Sequence, residues 1–353
     1  MGGTFSINQK EFINQAQNIT KNIPTIAVVK NNAYNHGLEF SVKCFIEAGI
    51  KAFGTTNIAE AVKIREINQE VRIFLMNPTA EFDAVRQYQL DITLPSLEYY
   101  KKYQQSLNGI NVHLEYAGLF NRSGFNSAEE MLEVLHHEKK LDETERFNLT
   151  GLWTHFGYAD EFDGVYEEER EGWLSIVETF QKRDIRIPVI HAQNTASFVR
   201  DGLFDGHTHL RLGVGLYGGT PYEEAPGTYN QSISLSAPVI QIRPLSKGMP
   251  CGYSAAFVAK KDTKAAVVDI GYGDGIMRSR ASYECEINGK MYPIRALMMS
   301  HMLVEVDDCV STADTVYIYN KNLRVDDFRN RGIGAVSEQL GALNFQTLKQ
   351  EVY

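Results

Sequence analysis

Between residues 23 and 218, short apolar runs alternate with amphipathic stretches, and this alternation leaves few folds open. The runs are 23–30, 51–56, 72–77, 91–95, 111–117, 149–156, 188–193 and 209–217. They are short, rich in β-branched residues and bounded by turn-forming residues such as Pro24, which predicts buried strands. The stretches 38–49, 58–68, 80–89, 96–107, 127–141, 164–183 and 195–203 predict helices. Their apolar residues recur three or four apart, as at Met131, Leu132, Val134 and Leu135. Ser96, Ser127 and Thr195 are suited to opening helices. Eight strands with helices between them predict an α/β fold, a (β/α)8 TIM-like barrel. A doubly wound open sheet would use fewer strands and commonly opens on a glycine-rich phosphate loop, which this sequence lacks.

The pattern changes after Ala225-Pro226-Gly227, which reads as a linker. Strand-like runs follow at 231–244, 264–269, 283–292, 302–306 and 315–318, with turns at Asn288-Gly289 and Thr312-Ala-Asp314. Helical pattern returns only near 325–341. The expectation is a barrel over residues 1–225 and a mostly-β C-terminal domain over 226–353. With 353 residues, 43% of them hydrophobic, the chain can build both cores. A net charge of -9 without any long basic run argues against nucleic-acid and anionic-membrane partners. Cys44, Cys251, Cys285 and Cys309 form neither a CxxC nor a zinc pattern, so free thiols and no metal are expected. The first residues lack the apolar core of a signal peptide, and no run reaches transmembrane length. A cytoplasmic protein is therefore expected.

In a barrel of this type, chemistry sits at the C-terminal ends of the strands. Lys30 ends the first apolar run. A buried lysine is costly unless used, and desolvation makes its amine easier to deprotonate and more nucleophilic, as a Schiff-base lysine requires. Taken alone, Lys30 fits a side chain snorkelling out of a strand end better. Other strand ends supply Arg122, His155, Asn194-Thr195 and Arg211-Leu-Gly213-Val214. Individually these fit bland roles: a core histidine, an ion-paired arginine, a helix cap. Together, Thr195 at a helix start and the amides of Gly213 and Val214 could hold a phosphate.

These residues, in this order, resemble the alanine racemases, pyridoxal-phosphate enzymes of fold type III. AVVKNNAYNHG (27–37) is similar to the family's lysine signature, and HLEYAGLFNRSGF (113–125) to its arginine loop. WTHFGYADE (153–161), HAQNTASF (191–198) and RLGVGLYGG (211–219) follow in family order. CGYSAAF (251–257) and DIGYGDGIMR (269–278) match the second domain's tyrosine motifs, and LMMSHM (297–302) its methionine segment. The resemblance implies that Lys30 holds the cofactor, pyridoxal 5'-phosphate, as a Schiff base and is one of two acid/base groups. Tyr253, supplied by the partner subunit of a homodimer with shared sites, would be the other. Arg211 would face the pyridine nitrogen, with His155 bordering the ring. Tyr34, Asn194, Thr195, Gly213, Val214 and Tyr353 would bind the cofactor, mainly at its phosphate. Arg122 and the backbone at Met299 would receive the carboxylate of the amino-acid substrate, and Tyr272 would line the entrance.

Two bases on opposite faces of the α-carbon are what racemisation requires. A tyrosine, titrating ordinarily at about 10, needs cationic help to serve as one. A racemase of serine, lysine or broad specificity is the near alternative. A fold-type III decarboxylase would carry a glutamate in place of Arg211, and a non-catalytic pyridoxal-phosphate-binding protein would lack the second domain. Three departures bear on substrate choice. Glu115 stands where many family members carry a lysine that becomes carbamylated, so a charge-assisted Glu115–Arg122 bond is expected. Ser300 replaces a common aspartate, and Asn35 a usual glycine.

Overall fold

A computed structural model describes residues 2–329 and 331–353. The chain divides into two compact units: residues 16–216 with 221–227, and residues 2–15, 217–220 and 228–353 with the undescribed exceptions. The N-terminal strand β1 (Thr4–Ile7) belongs to the second of these.

The first unit holds eight parallel strands: β2 (Thr25–Val28), β3 (Ala52–Thr55), β4 (Arg72–Leu75), β5 (Asp91–Leu94), β6 (Asn111–Glu115), β7 (Asn148–Trp153), β8 (Val189–His191) and β9 (Leu210–Leu212). Their order is β8-β7-β6-β5-β4-β3-β2-β9. The ends of the sheet meet through Thr208 N–H to Ile190 O, 3.0 Å, and Arg211 N–H to Gln193 O, 2.9 Å. The result is a nearly closed barrel, and the strands fall inside the eight apolar runs, except that β7 begins at Asn148, one residue before its run. Helices fill the intervals, among them Leu38–Glu47, Ile58–Ile67, Ala128–Glu138 and Val165–Lys182. Asn57, Ser96, Ser127 and Asn194 accept a backbone N–H three residues on, satisfying helix donors that would otherwise lack partners. The helix expected to begin at Thr195 is therefore capped by Asn194.

The β-rich unit adds β10 (Ile233–Leu245), β11 (Pro250–Cys251), β12 (Phe257–Val258), β13 (Thr263–Val268), β14 (Glu284–Ile287), β15 (Lys290–Leu297), β16 (Met302–Val306), β17 (Thr315–Tyr319) and β18 (Lys349–Val352). Strands β13-β16-β15-β14-β17-β10 are hydrogen-bonded neighbours in that order, and β13 also pairs with β10, closing a ring. β1 and β18 extend it from β10. The run 283–292 is the beginning of a hairpin. It turns at Asn288 (φ 52°) and Gly289 (φ 76°), where an Asn-Gly pair tolerates the left-handed backbone best. The helical expectation over 325–341 shrinks to a short turn at Asp326–Phe328 and a helix at Val336–Gly341. Buried Asp326 belongs instead to a polar knot: it accepts from Thr220 N–H and Oγ1 and from Arg324.

Inside the parallel barrel, aromatic and imidazole rings share the core. Phe74 stacks on His113 at 4.4 Å, and Trp153 lies nearly parallel to His191 at 6.0 Å. Gly151 makes room for them, because a Cβ there would stand 2.2 Å from Cγ of His113. Gly151→Ala is therefore expected to lower stability by about 1–3 kcal/mol, the usual effect of overpacking a filled interior. A denaturation midpoint equal to the parent's would show that the imidazole simply moves aside.

Candidate active site

Strand β2 ends at Val28, two residues earlier than its apolar run, and Lys30 opens a left-handed turn. Asn31, Asn32, Ala33, Tyr34 and Asn35 have φ of 54°, 55°, 54°, 52° and 64°. L-residues pay roughly 1–2 kcal/mol each in this region, asparagine least. Three of these five residues are asparagine, which accounts for Asn35 in place of glycine. Surrounding groups hold the turn. Glu60 accepts from Asn32 N–H at 2.7 Å and from the Thr55 hydroxyl, while Asn32 Oδ1 accepts from Leu38 N–H at 2.8 Å. His36 Nδ1 lies 3.1 Å from Ala33 O. Local backbone strain that is overdetermined by such contacts marks functional sites.

The amine of Lys30 is pulled below its ordinary pKa, first by burial and then by the positive charges of Arg122 and Arg211. Arg211 is 3% exposed on β9, and both its terminal nitrogens are engaged. One meets His191 Nδ1 at 2.9 Å; the other donates to Thr154 O at 2.7 Å and meets His155 Nδ1 at 3.1 Å. Its guanidinium lies 4.8 Å over the Trp153 ring. Burial, with Arg122 nearby, lowers its pKa to about 9. His155 is held well below the usual imidazole range by burial and by Arg211, Arg122 and Lys30, so it is neutral at pH 7. These four groups are thus within electrostatic reach of one another.

Beside them lies a cradle without side chains. A Cβ on Gly213 would meet Tyr34 Oη at 2.6 Å, and one on Gly215 would meet Thr195 Cγ2 at 2.5 Å. Gly215 N–H donates to Thr195 Oγ1 at 3.2 Å. Burial raises the Tyr34 hydroxyl to about 12, against the pull of Arg211. Val214 begins the short turn Val214–Tyr217 that follows the cradle. Asn194 binds Phe156 O at 3.0 Å while capping its helix.

Arg122 is exposed, 5.0 Å over the Phe120 ring, whose edge meets His155 at 5.4 Å. The expected Glu115–Arg122 bond is not formed among the described residues. Glu115 accepts instead from Ser123 Oγ at 2.7 Å and Thr93 Oγ1 at 3.4 Å, and Arg122 reaches it only through its field.

The remaining expected residues sit in the β-rich unit. Tyr253 tips the ribbon β11–β12 and is 62% exposed. Tyr272 and Met299 lie on loops joined by backbone: Tyr272 N–H to Met298 O, 2.9 Å, and Gly273 N–H to Met299 O, 2.7 Å. Tyr353 follows β18, its N–H bonded to Ile7 O and its side chain exposed. Sequence reading passed over His191, Ser123 and Glu169, although the first two stand inside recognised motifs. Glu169 is a buried carboxylate that clamps Gly157 N–H and Tyr158 N–H, just after His155. Lys30 is expected to be acetylated faster at mildly alkaline pH than exposed Lys43, as followed by peptide mass. Equal rates would contradict the lowered pKa.

Family models agree with this architecture. Residues 7–221 match the alanine racemase N-terminal domain and residues 232–344 the alanine racemase C-terminal domain. Alanine racemase 2 of Staphylococcus aureus (strain COL) is 51% identical over 358 residues, covering 99% of this chain and 98% of its own. Alanine racemase 1 of Bacillus subtilis (strain 168) is 27% identical, covering 83% of this chain and 76% of its own. The alanine racemase structure from Streptomyces coelicolor A3(2) superposes with a TM-score of 0.91 at 19% identity, covering 99% of this chain and 98% of its own. That from E. faecalis gives 0.88 at 22% identity over 100% and 98%. At such identities the structures speak for the fold alone. Both halves of the chain match family models, and a relative of the same length shares half its residues: this chain belongs to the alanine racemase family.

Proposed function

We propose that this chain is a pyridoxal-phosphate-dependent racemase that interconverts L- and D-alanine by a two-base route. The observation that carries this reading is Lys30, fixed in a strained left-handed turn with its amine biased toward the neutral form. The residues present fit the cofactor. The glycine cradle beside Tyr34 and Thr195 leaves backbone open to a phosphate, where side chains would collide. When bound, pyridoxal phosphate supplies a conjugated electron sink for the pair left by the departing α-proton.

Lys30 anchors the cofactor and exchanges a proton with the α-carbon on one face. Tyr34, Asn194, Thr195, Gly213, Val214 and Tyr353 hold the cofactor, chiefly its phosphate. Arg211 faces the ring nitrogen and keeps its own proton, since a guanidinium is a donor only. His155 borders the ring and supports Arg211. Arg122 and the backbone at Met299 receive the substrate carboxylate, and Tyr272 narrows the entrance. Tyr253 works the opposite face from the partner subunit of a homodimer. Its exposure at the tip of a ribbon suits a residue offered to a second copy. The barrel then supplies most of the cofactor's contacts, and the β-rich unit adds Tyr353 and offers Tyr253 to the partner's site. Among the described residues no helix is long and apolar enough to cross a membrane. On this reading the enzyme works in the cytoplasm.

Lys30→Ala should lose both the visible absorbance band and its sensitivity to borohydride. In deuterated water the parent should exchange the α-proton of both L- and D-alanine. Tyr253→Phe should lower turnover by about 10²–10⁴-fold, the range of a lost general acid–base. Exchange of one enantiomer only by the parent would sink the two-base reading. A panel of amino acids assayed for loss of optical rotation tests the choice of alanine over serine or lysine.

A further inference from the structure

A line of buried polar groups crosses the barrel interior from β5 to β9. Arg211 meets His191 Nδ1 at 2.9 Å, and His191 Nε2 lies 2.9 Å from His113 Nδ1. His113 Nε2 stands 3.3 Å from Asp91 Oδ2, an ion-pair distance, and neither of those two buried atoms makes a hydrogen bond among the described residues. The other oxygen of Asp91 accepts from Asn111 Nδ2 at 2.9 Å, and Arg72 Nε approaches Oδ2 to 3.4 Å. Asp91 and Arg211 are each 3% exposed, and His113 and His191 are fully buried. Four polar groups do not enter a barrel core without a compensating arrangement.

Only one proton order satisfies this line. A guanidinium can only donate, so His191 Nδ1 must accept. His191 then carries its proton on Nε2 and donates to His113 Nδ1. His113 in turn carries its proton on Nε2, directed at Asp91. Both imidazoles are held neutral, chiefly by burial. Burial opposes the charge on Asp91, but His113, Arg72 and Asn111 together keep its carboxyl below the usual range. The reverse order would set an N–H of His191 against the N–H groups of Arg211. The rings cannot easily turn to escape: Phe74 stacks on His113, Trp153 lies parallel to His191, and Gly151 leaves only the space the imidazole fills. His207 and His209 also bear on His191, and both are driven neutral by burial.

We infer that Asp91 and His113 are positioning residues for Arg211, imposing through His191 a single proton order that presents a lone pair to the guanidinium. Among the described residues no carboxylate hydrogen-bonds Arg211, so Asp91 acts on it from the far end of the line. The catalytic meaning rests on Arg211 facing the cofactor ring, as proposed above; the proton order itself does not.

The test begins with cofactor-free protein carrying 15N-labelled histidine, its ring resonances assigned by single histidine substitutions. His191 and His113 should both be neutral at about pH 7, with the proton on Nε2. Asp91→Asn should disturb that order, giving mixed or swapped tautomers at both rings, and Asp91→Glu should restore it in part. In the cofactor-loaded protein, Asp91→Asn should lower kcat roughly tenfold, the scale of losing an orienting partner, with little change in KM. The visible band of the loaded variant should also change its pH dependence. A proton on Nδ1 of His191 in the parent would overturn the inference, and does so even if Asp91→Asn fails to fold. So would unchanged rings in Asp91→Asn, or altered rings with kcat and the band intact. Failure of the parent to bind the cofactor would instead sink the functional reading and leave the tautomer result standing.

Discussion

Everything at the mouth of the barrel is arranged around one buried cation. Arg211 lies in the eighth barrel strand, out of contact with any carboxylate among its hydrogen-bond partners, and is held by carbonyls, two imidazole nitrogens and the Trp153 ring. A charge so enclosed is costly unless its donors are all met. That requirement reaches outward. Burial first, and then the charge of Arg211, keeps His155 and His191 unprotonated. That charge also biases Lys30 toward the free amine, together with burial and Arg122. The electrostatic character of the site thus follows from burial together with one cation that keeps its charge at neutral pH.

Backbone geometry supplies the second constraint. The consecutive left-handed residues after Lys30 are tolerated because three are asparagines and because Glu60 and His36 tie the turn down from outside it. The lysine is therefore carried on a rigid element and does not depend on a flexible loop for its aim. Rigid placement of a nucleophile and neutralisation of its amine are separate problems. The chain solves the first with its backbone and the second with burial and then its arginines.

The barrel was legible in the sequence because its strands are buried on both faces and read as continuous apolar runs, each separated by a periodic helix. What escaped had physical causes. β1 is four residues long with alternating burial, and its partners β10 and β18 are remote in sequence, so nothing local marks it. The end of β2 was overrun because Val29 and Lys30 continue an apolar pattern whose interruption is conformational rather than compositional. The turn at Asn288-Gly289 was legible, and the run 283–292 around it spans both strands of a hairpin, of which the second continues to Leu297. In the site, Lys30, Arg211 and His155 were visible from strand ends and motif order. The partner of Glu115 was not, since choosing Ser123 over Arg122 depends on the distance a side chain must reach. His113 and Asp91 were hidden for a plainer reason: within apolar strands, a single polar residue declares its partner only in three dimensions.

The pairing of residue 4 with residue 349 bears on how the chain is made. The ring of the β-rich unit and its flanking β1 and β18 draw on both extremes of this sequence, whereas the parallel barrel draws only on residues 25 to 212. Contacts separated by so much chain close slowly and late. During synthesis the barrel strands are all available while β18 is still to be made, and β1 waits with its hydrogen-bonding edge unpaired. Its brevity, and the polar Thr4 and Ser6 alternating with Phe5 and Ile7, leave little for another chain to seize in that interval.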